Sequence, residues 1–295
     1  MESTPSSIYK IFQKSVAFVL DESGKPCGTA FLISIKDAPP GKLHWEFLIT
    51  NKHVVQNIDT EPDGTVNAAT WMKRIRLRLN SMVEGFEHYD IEVAKVKRPF
   101  IVHEDPRVDL AVINIEEPLP VCDLVAMDIG VVFGNTRPGA PLSEEGTDVV
   151  NCALLDGYSG LKKNFPICKF GKIALVTDEF WCETKRGFGK EAAWIVDLGS
   201  EEGSSGSPVF ATPFQIKVDQ AGRVFQHTGG FCLVGVVKAV SDSMTDYQKK
   251  MRALTLVEPV KHLQDIFSKI MIDLANQGFN PQSVQSDSLY IPNEK

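Results

Sequence analysis

Lys73-Arg-Ile-Arg-Leu-Arg-Leu79 alternates basic and aliphatic residues without a break. Successive side chains of a strand point to opposite faces, so Ile75, Leu77 and Leu79 share one face while Arg74, Arg76 and Arg78 share the other. The stretch is a half-buried strand. Its basic face has no interleaved aromatics and reads as solvated surface, not as a nucleic-acid platform. Outward from it, short apolar or alternating runs bounded by Pro, Gly and Asp predict strands over 15–21, 27–36, 44–50, 91–97 and 109–116. With 73–80 they make a first set of six. After a polar stretch at 134–146, a second set follows at 148–155, 170–177, 193–198, 207–211, 231–241 and 253–257. Two successive sets predict an all-β protein of two six-stranded antiparallel barrels, over 14–125 and 126–257, with a site in the cleft between them.

The ends read differently. From Glu258, with Pro259 at the first helical position, apolar residues recur at Val260, Leu263, Ile266, Phe267, Ile270 and Leu274 up to Gly278. This predicts a C-terminal helix over 258–278, packed on the second barrel, and a polar tail over 279–295. Residues 1–13 form an N-terminal segment whose Tyr9, Ile11 and Phe12 cover either the protein's own barrel or another subunit.

The chain has 295 residues, 43% of them hydrophobic and 23% charged, the composition of a folded globular protein and not of a disordered or fibrous one. Lys and Arg number 31 against 38 Asp and Glu, a net charge of −7, and the pI is near 5.5. Such a balance gives no electrostatic footprint for nucleic acid or anionic membrane. No apolar run approaches the roughly 20 residues of a membrane span. The N-terminus has an acid at Glu2 and no basic-then-apolar layout, so a cytoplasmic location is expected. Six cysteines (Cys27, Cys122, Cys152, Cys168, Cys182 and Cys232) form no C-x-x-C pair, which predicts reduced thiols and no metal site.

The chemistry centres on Gly203-Ser204-Ser205-Gly206-Ser207-Pro208. A nucleophilic serine needs its hydroxyl on a tight turn whose backbone N–H groups point at a developing oxyanion, and glycines permit that turn. Only Ser205 has glycine both two positions before it and immediately after it. The string fails the G-x-S-x-G elbow of α/β-hydrolases because position 207 is serine. A serine also needs a base, and histidine is tuned for that near neutrality. His53 stands where the apolar run Phe47-Leu-Ile-Thr50 gives way to polar residues, at the edge of an element. The other five, His44, His88, His103, His227 and His262, read as surface or structural. A carboxylate must hold the imidazole, and Asp109, opening the apolar run Leu110-Ala-Val-Ile113, is the candidate; Asp105 is the alternative.

The order His53, Asp109, Ser205 is that of the chymotrypsin-type triad. With Thr50-Asn-Lys-His-Val-Val55, Asp109-Leu-Ala-Val-Ile-Asn-Ile115, Gly203 to Pro208 and Cys27-Gly-Thr-Ala-Phe-Leu-Ile33, the sequence resembles the trypsin/chymotrypsin-fold serine peptidases over roughly residues 14 to 260. Within them it is most similar to the bacterial high-temperature-requirement (Deg-like) branch, here without room for a PDZ domain after the helix. The resemblance implies a serine endopeptidase with catalytic His53, Asp109 and Ser205, an oxyanion hole of the Gly203 and Ser205 N–H groups, and no cofactor. It places the primary pocket at Gly199, Ser200, Glu202, Val237, Lys238 and Val240. No acid lies on the floor at Gly199; Val237 and Val240 favour a small apolar residue, Lys238 would draw an acidic one, and nearby Asp197 keeps a basic preference open. Ser204 replaces the aspartate through which digestive members pair with a new N-terminus, so activation by that salt bridge is not expected. The expected partner is a protein or peptide substrate, with a regulatory partner or a homo-oligomer also open. The alternative is a catalytically silent barrel that binds a peptide or protein in its cleft.

Overall fold

The computed structural model describes residues 8–35, 45–60, 66–96, 98–116, 119–134, 143–155, 160, 162–177, 180–184, 187–191, 193–199, 201, 203–212, 214–218, 224–228, 231–238 and 254–277. The stretch that alternates most cleanly in sequence also alternates in burial. Ile75, Leu77 and Leu79 are buried, while Arg76 and Arg78 are half-buried on the other face. Arg76 makes two 2.7 Å hydrogen bonds to Asp90 on the neighbouring strand. Arg78 lies over the rings of Phe18 and Phe86, 4.7 and 4.6 Å from their centroids, and donates to Asn164 in the second half of the chain.

The first half supplies β1 (Val16–Leu20), β2 (Pro26–Ile35), β3 (Trp45–Thr50), β4 (Gln56–Thr60) and β5 (Val66–Trp71). These are followed by β6 (Arg74–Asn80), β7 (Phe86–Glu92), β8 (Ile101–Val102), β9 (Ala111–Ile115) and β10 (Met127–Asp128). Among the described residues, they form a curled sheet in the order β7-β6-β1-β2-β3-β9-β8, with β10 parallel to β2 and β4–β5 as a separate hairpin. The sheet therefore has eight strands where the sequence predicts six, because the two-residue strands β8 and β10 are too short to show periodicity. The strand expected over 91–97 lies earlier, at Phe86–Glu92, and the chain then tightens into a 3-10 turn at Val93–Lys95. Pairing with β6, fixed by the Arg76–Asp90 contact, sets this register.

The second half supplies β11 (Asp148–Ala153), β12 (Ile167–Leu175), β13 (Phe180–Thr184), β14 (Gly187–Glu191) and β15 (Trp194–Asp197). Then come β16 (Pro208–Ala211), β17 (Phe214–Val218), β18 (Val224–Thr228), β19 (Cys232–Lys238) and β20 (Leu254–Pro259). Six of these close into the expected barrel, β11-β12-β15-β20-β19-β16, and the remaining four form two hairpins, β13–β14 and β17–β18. Both halves together give the two-barrel, chymotrypsin-like arrangement.

Two helices flank the strands. α1 (Ile8–Lys14) buries Phe12, whose ring stacks on Phe210 at 4.2 Å and meets Phe231 edge-on at 5.0 Å, so this segment covers the protein's own second barrel. α2 (Val260–Asn276) starts two residues later than the periodicity predicts. Glu258 and Pro259 extend β20, where they pair with Val236 and Gly235, and Pro259 caps the helix instead of opening it. The helix is not confined to the second barrel. Phe267 meets Phe47 of β3 edge-on at 5.5 Å, and Arg98 and Glu104 of the first half pair with Asp273 and Lys269. Its buried face joins the largest apolar cluster, which lies between the halves and contains Phe31, Ile33, Phe47, Val150 and Phe210. Burial of each such side chain contributes roughly 1.5–3 kcal/mol, and the same residues fix how the halves meet. No described helix is long and apolar enough to cross a membrane.

Candidate functional site

The site forms where the ends of β3, β2 and β16 converge. Thr50 and Ala111 are partners in the β3–β9 ladder, so continuing past that pair carries the chain from β3 toward His53 and, on the other side, back toward Asp109. A 3-10 turn, Lys52–Val55, presents His53. Side chains then tie the two segments together. Asn51 Nδ2 donates to the Asp109 carbonyl at 2.8 Å, and Lys52 Nζ donates to the Pro106 carbonyl at 2.6 Å. His53 Nδ1 lies 2.6 Å from Asp109 Oδ2, and the His53 backbone N–H donates to Oδ1 at 3.2 Å. The imidazole is 25% exposed and the carboxylate 7%. An ionised carboxylate can only accept, so Nδ1 is the donor in this contact. Asp105 is elsewhere engaged. Its carboxylate grips Arg107, which holds it well below the usual carboxylate range.

Ser205 is held by a different kind of contact. Gly203 and Gly206 adopt φ of +89° and +84°, and Gly206 N–H donates to the Val237 carbonyl at 2.9 Å while Val237 N–H donates to Ser207 at 2.8 Å. Across the junction, Thr29 of β2 donates its N–H to the Ser205 carbonyl at 2.8 Å and its hydroxyl to the Gly203 carbonyl at 2.7 Å. A Cβ on Gly206 would overlap the Thr29 carbonyl and the Thr50 hydroxyl, so only glycine lets the turn come this close. Gly28 does the same on the facing side. A Cβ there would stand 2.7 Å from both Val54 methyls and 3.2 Å from the Ser205 carbonyl. The residue next to His53 and the peptide of Ser205 thus meet over one glycine.

Of the three serines in the turn, Ser204 donates its hydroxyl to the Glu201 carbonyl and Ser207 to the Ser204 carbonyl, both at 2.6 Å. Asn151 supports Ser207 with a 2.8 Å bond to its oxygen. Among the described residues, the Ser205 hydroxyl has no such partner, and no acceptor stands against the backbone N–H of Gly203 or Ser205. The geometry therefore leaves one hydroxyl and two amide donors uncommitted at the same turn.

The remaining residues expected in the site are distributed less simply. Gly199, at φ +66°, accepts from Lys169 Nζ at 3.2 Å, and the same ammonium pairs with Glu201. Val237 packs inside the second barrel with Val209 and Trp194. Lys238 turns its ammonium inward to Glu258, at 3.4 Å, with only 11% of its side chain exposed. Asp197 is exposed on β15, in register with Lys172. Ser200, Glu202 and Val240 lie outside the described residues, as do His44 and the tail over 279–295. Of the other histidines, His88 is exposed, while His103 and His262 are engaged with Asp265 and Glu258.

Among the described residues, Cys27, Cys122, Cys152, Cys168 and Cys232 are free thiols. Burial pushes Cys27, beside Val54, and Cys232 each up to about 12. Cys152 and Cys168 face each other across the β11–β12 ladder with sulfurs 2.6 Å apart; the shared hydrogen bond and burial raise Cys152, and the same bond lowers Cys168. Among the described residues no group of three His, Cys, Asp or Glu side chains stands close enough to hold a metal ion.

Sequence reasoning did not assign roles to Thr29, Asn51 or Glu258. The available signal for Glu258 was a lone acid near the end of the apolar strand Leu254-Thr-Leu-Val-Glu258, matched by the lone Lys238 ending the apolar strand Cys232-Leu-Val-Gly-Val-Val-Lys238. A charge in such a run is costly to bury without a partner.

No family model matches the sequence, and no curated protein does. Solved structures similar to this chain include Rv3671c protease from M. tuberculosis in its active form, at 16% identity and TM-score 0.47, covering 89% of this chain and 83% of that one. An alanine-substituted inactive form of Rv3671c is 15% identical with TM-score 0.43, covering 92% and 96%. A further inactive form is 16% identical with TM-score 0.40, covering 88% and 90%.

Proposed function

We propose that the protein is a serine endopeptidase that hydrolyses peptide bonds of a protein substrate through Ser205, His53 and Asp109. The observation that carries this reading is the 2.6 Å contact of His53 Nδ1 with the buried Asp109 carboxylate, beside a turn whose middle serine has no hydroxyl partner among the described residues. Ser205 Oγ bonds to the scissile carbonyl carbon as His53 Nε2 takes its proton, and Asp109 stabilises the imidazolium. The carbonyl oxygen, now negative, is met by the Gly203 and Ser205 N–H groups. When the intermediate collapses, the C–N bond breaks and His53 returns the proton to the leaving amine. Water, deprotonated by His53, then cleaves the acyl ester and restores Ser205.

For specificity, a floor at Gly199 without an acid and an inward-turned Lys238 favour a small or medium apolar residue before the cut. Incubating a peptide library with the wild type and with Ser205→Ala tests both points. Cleavage by the wild type alone, after small apolar residues, is expected. Cleavage after arginine would overturn the pocket reading, and equal cleavage by Ser205→Ala would overturn the mechanism.

A further inference from the structure

Asp109 stands outside the ladder of β9, which begins at Ala111, so its own backbone groups need partners from elsewhere. Its carbonyl is taken by Asn51 Nδ2 at 2.8 Å. Its N–H donates to Glu258 Oε2 at 3.1 Å, reaching across 149 residues of sequence. Glu258 is 2% exposed, at the end of β20 where α2 begins. Its second oxygen, Oε1, lies 2.6 Å from His262 Nδ1 in the first turn of α2, and Oε2 also lies 3.4 Å from Lys238 Nζ on β19. The side chains of Lys238 and His262 are each 11% exposed. Beyond His262, the His103 ring lies at 5.2 Å and contacts Asp265.

A desolvated carboxylate is costly, and an apolar pair of equal volume would serve packing at least as well. What an apolar pair cannot supply is an acceptor for the Asp109 N–H. We infer that Glu258, steadied by Lys238 and His262, is a positioning residue that fixes the backbone of Asp109 and through it the orientation of the His53 imidazole. This rests on the triad reading above and adds to it a dependence on the junction of the last strand with the C-terminal helix. Catalysis then depends on how α2 docks.

Two variants of the full chain separate positioning from folding. Glu258→Gln keeps a carbonyl oxygen for the Asp109 N–H. The double change Glu258→Leu with Lys238→Met removes the acceptor together with the ammonium that faces it. Folding is followed by thermal unfolding, positioning by the far-downfield proton resonance of His53 Nδ1, and reactivity by the rate of labelling with a fluorophosphonate probe resolved into binding and bond-forming constants. The folded double variant is expected to lose or broaden that resonance. Its bond-forming constant should fall on the order of 10- to 100-fold with little change in probe binding, and Glu258→Gln should stay within about 3-fold of wild type. A folded double variant with an intact resonance and wild-type labelling would overturn the inference. If the wild type itself is not labelled, the peptidase reading fails, while the resonance still decides whether Glu258 positions His53.

Discussion

The His53 corner and the Ser205 turn face each other, yet they are held by different means. At the corner, side chains do the fixing: Asn51, Lys52 and Glu258 reach the backbone of residues 106–109, and the Asp109 carboxylate reaches His53. At the turn, backbone dominates: Gly206 donates to the Val237 carbonyl, Val237 donates to the Ser207 carbonyl, and the Ser205 carbonyl is anchored by the Thr29 N–H. A corner built from side chains can lose its chemistry while the fold survives. A turn built from backbone in close contact cannot be altered without loosening the junction between the halves.

Asp109→Asn strikes this difference hardest. An amide NH2 facing Nδ1 would force the proton onto Nε2 and remove the base, so kcat should drop roughly 10⁴-fold. The unfolding midpoint should stay close to wild type, and a fall in stability that matched the loss of turnover would erase the distinction. Gly206→Ala should produce the opposite balance. The left-handed backbone alone costs about 1–3 kcal/mol for a residue with a side chain, and overlap with Thr29 and Thr50 adds to it, which denaturant titration will show as a lowered midpoint. An unchanged midpoint would mean that the turn is not tightly packed against β2 and β3.

The smallest effect concerns Cys27, whose thiol lies 3.4 Å from the Val19 carbonyl and 3.5 Å from the Val54 carbonyl beside the corner. With burial raising its pKa to about 12, only roughly one molecule in 10⁴ carries the thiolate at pH 8. Iodoacetamide should therefore leave Cys27 unmodified under conditions that alkylate an ordinary exposed thiol; rapid modification would show that the wall behind Val54 opens.

The same difference governs what was legible in the sequence. The Ser205 turn is encoded locally, since its glycines, serines and proline are consecutive, and the phase of the glycines singled out Ser205. His53 and Asp109 were legible because each stands where an apolar strand meets polar residues. Glu258 was not, because its partners are Asp109, Lys238 and His262, and only the folded chain brings them together. Periodicity found the long strands that face a core on one side, such as Arg74–Asn80. It missed Gln56–Thr60 with Val66–Trp71, a hairpin outside both sheets whose polar Gln-Asn-Ile-Asp-Thr carries no alternation. It also placed Glu258 and Pro259 in a helix, since local preference for Pro at a helix start competed with long-range pairing to β19, and the pairing prevailed.

The most direct measurement is covalent labelling of the full chain with a fluorophosphonate, followed by mass mapping of the modified peptide. One phosphonyl group on Ser205, absent from both Ser205→Ala and His53→Ala, is the outcome expected if the free hydroxyl and the Asp109-bound imidazole act together. Labelling at another residue, or undiminished labelling of either variant, would contradict that pairing.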